Sequence, residues 1–389
     1  MNERDFLGEE ASRQLRLNTP AGGWFPALRN LSWIIGEYDL PYIDLFFSPH
    51  LEAVRIYTPG SWNLSGFPYD ILPALTSAIS TIPTSALRSL SIGPGPPNAS
   101  LRATPWAHFR DSLSSVVLRC GPSLVNLSSP IPLSDVAVDH LIRLPHLHTL
   151  TVDGSPPSCS TSLSPFVFPP LVNLTLGEAS VHGWLSLIQS VEARASATQG
   201  VEPLSRIRES LALLNLEFPP TVPVNISSTS PIQNFRNLAF LYANIPCDEG
   251  GCIFKLDNDN ATELAMALPQ LEYLFLGSPC SENSCATTVA CLLQISVHCP
   301  HLYSLGIHFN TTDIVGDLKS ISVDPRFREL RSLPRCPLSY LKVRELPLVL
   351  DESDFDAVAD GMKGIFPNLK GFETKISTWC ELSKKFRGG

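Results

Sequence analysis

Four cysteines carry the spacing that most directly offers chemistry. CDEGGC (Cys247, Cys252) and CSENSC (Cys280, Cys285) share one spacing, and both pairs stand nine and fourteen residues beyond a leading leucine, Leu238 and Leu271. If those leucines open successive turns of one repeat, equal offsets stack, and four thiolates converge within reach of a tetrahedral zinc or of a disulfide between turns. The competing reading is structural: the first cysteine of each pair fills a buried position just after a strand. C-x4-C is looser than the usual C-x2-C zinc knuckle, and a reducing compartment disfavours the disulfide, so the expectation is no bound metal and no cofactor.

Other reactive types are arranged less suggestively. His146 and His148 flank a core leucine, and His298 and His301 stand before another, with no carboxylate or cysteine at ligand spacing. They read as surface or hydrogen-bonded histidines. DESDFD (351–356) reads as negative charge favouring a helix N-terminus, not as a calcium loop. IGPGPPN (92–98) is blocked by proline where a phosphate-binding helix would begin, and reads as a turn. No G-x-S-x-G, H-E-x-x-H or paired-acid motif occurs, and the terminal FRGG follows no ubiquitin-like domain. The expectation is that the chain is not an enzyme and has no catalytic residues.

These residues need elements to hold them, and composition bounds what those elements are. Hydrophobic residues are 44 % and charged residues 17 % of 389, enough for a large core and unlike a disordered chain. Thirty-five prolines imply short elements and many turns. A net charge of −9, spread along the chain, argues against nucleic acid or an anionic membrane as partner. The polar start MNERDFLGEEASRQLRLN has no signal-peptide pattern, and no apolar run reaches membrane-spanning length. The expected location is cytoplasmic or nuclear. Eight N-x-Ser/Thr sequons, at Asn30, Asn63, Asn98, Asn126, Asn173, Asn225, Asn260 and Asn310, would then stay unmodified.

The organising signal is the pattern L-x-x-L-x-L, beginning at Leu28, Leu51, Leu87, Leu124, Leu147, Leu171, Leu211, Leu238, Leu271, Leu302, Leu338 and Leu369. Its three apolar positions hold apolar residues in all twelve copies except for Ser129 and Thr374. Intervals run from 23 residues (Leu28 to Leu51) to 40 residues (Leu171 to Leu211), too uneven for equal propeller blades. They fit a solenoid whose turns each pair a short strand with a helix or loop of variable length. Helical periodicity does recur between copies. Ser134 is the expected N-cap of one such helix, and Phe355, Val358, Met362 and Ile365 fall on one face of another. The fold expected is α/β, a solenoid with a concave parallel sheet and convex helices. Residues 1–20 form a polar N-terminal segment, 21–376 the repeats and 377–389 a C-terminal tail.

Alternation along a strand turns pattern positions three and five away from the core. Copies one to six put small polar residues there, including Asn126, Ser128, Thr149 and Thr151. Copies eight, nine and eleven put Phe240, Tyr242, Tyr273, Phe275, Tyr340 and Lys342. Clustered aromatics on an outward face are expected to bind a protein partner, with Tyr242, Tyr273 and Phe275 as anchors. The competing possibility is that WCELSKKF (379–386) folds back over these rings.

The repeat wording is that of leucine-rich repeats, and Cys299 and Cys336 in CPHLYSL and CPLSYL resemble the cysteine-containing subtype. The order of FPALRNLSW, FFSPHLEAVRIY, SLVNLSSPIPLSDVAVDHLIRLPHLHTLTV and FPPLVNLTL resembles fungal F-box-like leucine-rich-repeat proteins over roughly residues 20 to 380. That resemblance implies a substrate receptor of a Skp/cullin/F-box ubiquitin ligase, whose F-box docks a Skp-type adaptor while the repeats hold the target. The 27 residues before Leu28 contain no L-P-x-E-like F-box opening. The expectation is therefore a receptor-like interaction scaffold, with a working ligase receptor as the alternative.

Overall fold

A computed structural model describes residues 14–15, 17–20, 24–34, 40–57, 72–93, 104–129, 131–152, 168–177, 181, 183–188, 205–218, 224–225, 231–245, 254–277, 286–344, 348, 350–351, 354–374 and 376–387. The chain divides into two compact units, residues 1–187 with 195–206, and 188–194 with 207–389. Both are α/β, and each has a solenoid-like arrangement of strands paired in chain order.

In the first unit the strands are β1 (Asn30–Ile34), β2 (Ala53–Tyr57), β3 (Ser89–Ile92), β4 (Asn126–Ser129), β5 (Thr149–Val152) and β6 (Asn173–Leu176). Each pairs in parallel with the next. Every strand begins at the third position of a leucine pattern, and third positions pair with one another: Asn30 with Ala53, Ala53 with Ser89, and on to Thr149 with Asn173. The leucine frame therefore sets the register. A one-residue slip would turn every leucine to the opposite face, at about 1.5–3 kcal/mol per buried side chain.

Entry into each strand is stereotyped. The carbonyl before it accepts two amides of the next turn: Arg29 from Glu52 and Ala53, Glu52 from Arg88 and Ser89, His148 from Val172 and Asn173. The core is the stack of pattern leucines, with Leu51, Leu87, Leu90, Leu124, Leu127 and Leu150 all fully buried. Behind the sheet pack α1 (Leu72–Ser80), α2 (Thr104–Arg119) and α3 (Asp135–Leu141), in contact in that order. The Ser134 hydroxyl caps α3 by accepting the Ala137 amide at 3.3 Å. Ser129 stands where the pattern wants an apolar residue. It is fully buried, yet its hydroxyl donates to the Ile131 carbonyl and accepts the Ile131 amide, so the polar group goes in satisfied.

The second unit repeats the scheme with β7 (Leu213–Glu217), β9 (Phe240–Asn244), β11 (Tyr273–Gly277), β12 (Ser304–Ile307), β13 (Tyr340–Arg344) and β14 (Gly371–Thr374). They pair in parallel in that order, again third position to third position, with one irregularity between Lys342 and Arg344. A separate pair joins β8 (Val224–Asn225) to β10 (Phe254–Lys255). The longer helices among its described residues are α4 (Asn258–Ala267), α5 (Val289–His298), α6 (Ile314–Val323), α7 (Asp354–Ile365) and α8 (Ser377–Arg387), with a short helical turn at Arg328–Ser332. Asp257, Thr288 and Asp313 cap α4, α5 and α6 through side-chain oxygens. On α7, Val358, Met362 and Ile365 are buried while Phe355 is half-buried.

The end of this ladder is closed by α8. Trp379 is fully buried, 4.6 Å from the Phe372 ring and 6.3 Å from Phe309, and Phe386 meets Phe372 edge-on at 5.3 Å. The Ser383 hydroxyl accepts the Phe372 amide at 2.9 Å. Gly371 passes close beneath, so that a side chain there would come within 3.3 Å of the Ser383 oxygen. WCELSKKF thus packs on core-facing Phe372, not on the outward aromatic rows. No described helix is long and apolar enough to cross a membrane.

Candidate interaction face on the second unit

Two aromatic rows form because register places like positions side by side. Across β9 and β11, Phe240 pairs with Tyr273 and Tyr242 with Phe275. Phe240 and Tyr273 stack with centroids 4.6 Å apart and planes within 1°, and Tyr242 and Phe275 stack at 4.8 Å and 17°. Stacked pairs of this kind contribute about 0.5–1.5 kcal/mol each beyond their buried area.

Beyond β11 the outward residues become small, Ser304 and Gly306 on β12, and this decides the rest of the geometry. The Phe275 ring occupies the space where a side chain at Gly306 would stand, and a carbon there would also come within 3.1 Å of Lys342 Cβ. Lys342, one strand further on, reaches back over β12. Its Nζ lies 5.1 Å from the centre of the Tyr273 ring, 3.4 Å from the Tyr273 hydroxyl and 3.2 Å from a Glu373 carboxylate oxygen. Burial works against the Lys342 charge, but the Tyr273 oxygen and the Glu373 carboxylate outweigh it and hold its pKa above the ordinary lysine value.

The six candidate residues are thus brought to one face but do different things. Phe240, Tyr242, Tyr273 and Lys342 are half-buried, and Tyr340 is 47 % exposed. Phe275 is only 3 % exposed, which corrects its reading as an outward anchor: the missing side chain at Gly306 lets it lie down into the sheet. It is a platform under Tyr242. Tyr303, at the second position of its copy, was not among the candidates, yet it is 44 % exposed and meets Phe240 edge-on at 6.4 Å. Its aromatic type, one residue before an outward position in the neighbouring turn, was the available signal.

The thiols divide clearly. Cys247, Cys252, Cys280 and Cys285 lie outside the described residues. Cys120, Cys299 and Cys336 are buried, and burial pushes their pKa values up to about 12, 12 and 11. The Cys299 thiol faces the Ala265 and Leu268 carbonyls of the preceding turn at 3.7 and 3.8 Å, so it packs and donates where a nucleophile would need to ionise. No cluster of three or more His, Cys, Asp or Glu able to hold a metal occurs among the described residues. His146, His148 and His301 are exposed, and His148 Nδ1 lies 2.6 Å from the His146 carbonyl. Asp354 and Asp356 stand in the first turn of α7, and Asp356 pairs with Lys385 at 2.9 Å. The GPGPPN turn falls largely outside the described residues.

Among sequons, Asn30, Asn126, Asn173 and Asn225 lie on strands, Asn260 lies in α4, and Asn310 accepts the Thr312 amide. A groove of about 340 Å³ between α6 and α7 is lined mainly by apolar groups, with Lys319 and Asp360 as its charges. No protein-family model and no curated protein matches the chain.

Proposed function

We propose that the chain is a leucine-rich-repeat solenoid, a horseshoe with the sheet on its concave side, working as a non-enzymatic protein-interaction scaffold of the F-box-like receptor kind. The observation that carries this is the pair of stacked ring pairs across β9 and β11, Phe240 on Tyr273 and Tyr242 on Phe275, with exposed Tyr303 edge-on to Phe240 and Tyr340 exposed on β13. Aromatic side chains held rigid by stacking lose little entropy on binding and dominate interface energetics. Lys342, held charged beside Tyr273, adds a directional cation at the edge of the apolar area.

Site-specific photo-crosslinking tests this reading. A photoreactive phenylalanine analogue at Tyr340 should yield one discrete protein adduct in cells, and the same analogue at Val136, 66 % exposed on a helix of the first unit, should yield none. Equal labelling at both positions would defeat the assignment. The alternative, a working Skp/cullin/F-box receptor, rests on the order of repeat segments. It requires co-purification with a Skp-type adaptor, and failure to co-purify removes it while leaving the scaffold reading intact.

A further inference from the structure

Along the third pattern position the second unit presents, strand by strand, Phe240 on β9, Tyr273 on β11, Ser304 on β12 and Tyr340 on β13. Phe240 and Tyr273 lie in one stack, Tyr303 stands edge-on to Phe240, and Tyr340 is 47 % exposed. Ser304 interrupts the rings with a small side chain that is itself buried. The row therefore offers two ring surfaces, Tyr273 and Tyr340, on strands two spacings apart, with a low point between them.

That interval selects among backbones. Two strand spacings are about 9.5 Å. A segment in the polyproline II conformation turns the same face toward a surface at every third residue, which is about 9.3 Å. A β-strand repeats its face about every 6.7 Å and an α-helix about every 5.4 Å, so neither matches the interval.

The polar groups of the face narrow the class further. Lys342 donates from Nζ to the Tyr273 hydroxyl oxygen at 3.4 Å, which leaves the Tyr273 O–H hydrogen to donate outward. The phenols of exposed Tyr303 and Tyr340 stand on either side, so the face is rich in donors. An α-helix uses its carbonyls within itself, whereas a polyproline II chain has no internal hydrogen bonds and keeps its carbonyls open to accept. Charge gives an ionic partner no advantage. Lys342 is already paired with Glu373 at 3.2 Å, and the Glu373 side chain is 63 % exposed, so an acidic segment would meet Glu373 and a basic one would meet Lys342. An uncharged, proline-rich chain lays flat apolar rings on phenol faces, and its stiffness limits the entropy lost on docking.

We propose that this face binds an uncharged, proline-rich segment of a partner protein in the polyproline II conformation, laid across β11 to β13 with residues three apart seated on Tyr273 and Tyr340. The inference rests on the interaction-face reading and names the class of partner for it.

Titration calorimetry of the full chain with a capped polyproline peptide of about ten residues tests the proposal, with a glycine–serine peptide of equal length as control. Polyproline should bind and the control should not. Tyr340→Ala and Tyr303→Ala should each weaken binding about ten-fold or more while keeping the wild-type circular dichroism and thermal transition, since both side chains are well exposed. Raising salt from about 50 to about 500 mM should leave the affinity within about two-fold, as a contact without ionic attraction requires. Equal binding of the two peptides, affinity untouched by both substitutions, or a steep loss with salt overturns the proposal. Photo-crosslinking at Tyr340 reports a protein partner of any class, so a discrete adduct in cells without polyproline binding removes the proline-rich class and leaves the interaction face standing. Equal labelling at Tyr340 and Val136 overturns both.

Discussion

Gly306 leaves a gap in the middle of an outward row, and the Phe275 ring fills it. Adding one methyl by Gly306→Ala puts a carbon against that ring and near Lys342, and overpacking of this kind costs about 1–3 kcal/mol. For a unit of this size, thermal melting should fall by about 2–4 °C per kcal/mol. Phe275→Ala should lose about 3–5 kcal/mol, as buried aromatics do. An unchanged melting temperature for both variants would refute the packing described. The buried thiols give a second test at this scale. Because burial holds Cys120, Cys299 and Cys336 protonated to about pH 11–12, native protein at mildly alkaline pH should be alkylated at exposed Cys380 and spared at those three, as read by peptide mass spectrometry. The sign for stability follows. Unfolded thiols ionise near their ordinary value of 9.0 while the folded ones do not, so stability is fully present below that pH and declines as pH rises toward 12.

Single elements depend on a few contacts that close their ends. The Ser134 hydroxyl is the side-chain acceptor at the start of α3, and Ser134→Ala should cost about 1 kcal/mol in denaturant unfolding. At α8 the dependence is greater. Trp379 is fully buried between Phe309 and Phe372, and Trp379→Ala should cost about 3–5 kcal/mol. Ser383→Ala would strip the acceptor from the buried Phe372 amide, for about 1–3 kcal/mol. If Trp379→Ala unfolds no more readily than a surface substitution, α8 does not close the ladder.

Across a whole unit, stability passes from turn to turn, because each strand pairs only with its neighbours in the ladder. Hydrogen exchange on Trp379→Ala should show the largest loss of protection in β14, less in β13 and β12, and least at β7. A uniform loss over these strands would mean that the unit opens as one block. The chain's charge of −9 sets a further expectation at this scale: no retention on a polyanionic column at physiological salt. Retention that falls steeply with added salt would point to a concealed basic surface.

The sequence by itself determined the ladder. Leucine at the first position with apolar residues at the fourth and, in most copies, the sixth fixes which face is buried, and because side chains alternate strictly along a strand, it also fixes how the strands of each unit line up with their neighbours. The Ser134 cap and the apolar face of α7 were legible for the same reason, since both rest on contacts within a few residues. What only the tertiary structure decided involves residues of different turns. Phe275 sinks because Gly306, 31 positions later, has no side chain to resist it, and Lys342 folds over Tyr273 across a strand whose outward residues are small. Trp379 joins the core because Phe309 and Phe372 leave an apolar end for it to cover. Periodicity reports the direction in which a side chain leaves its own strand. The space it then meets is set by the size of neighbours brought alongside by turns of uneven length.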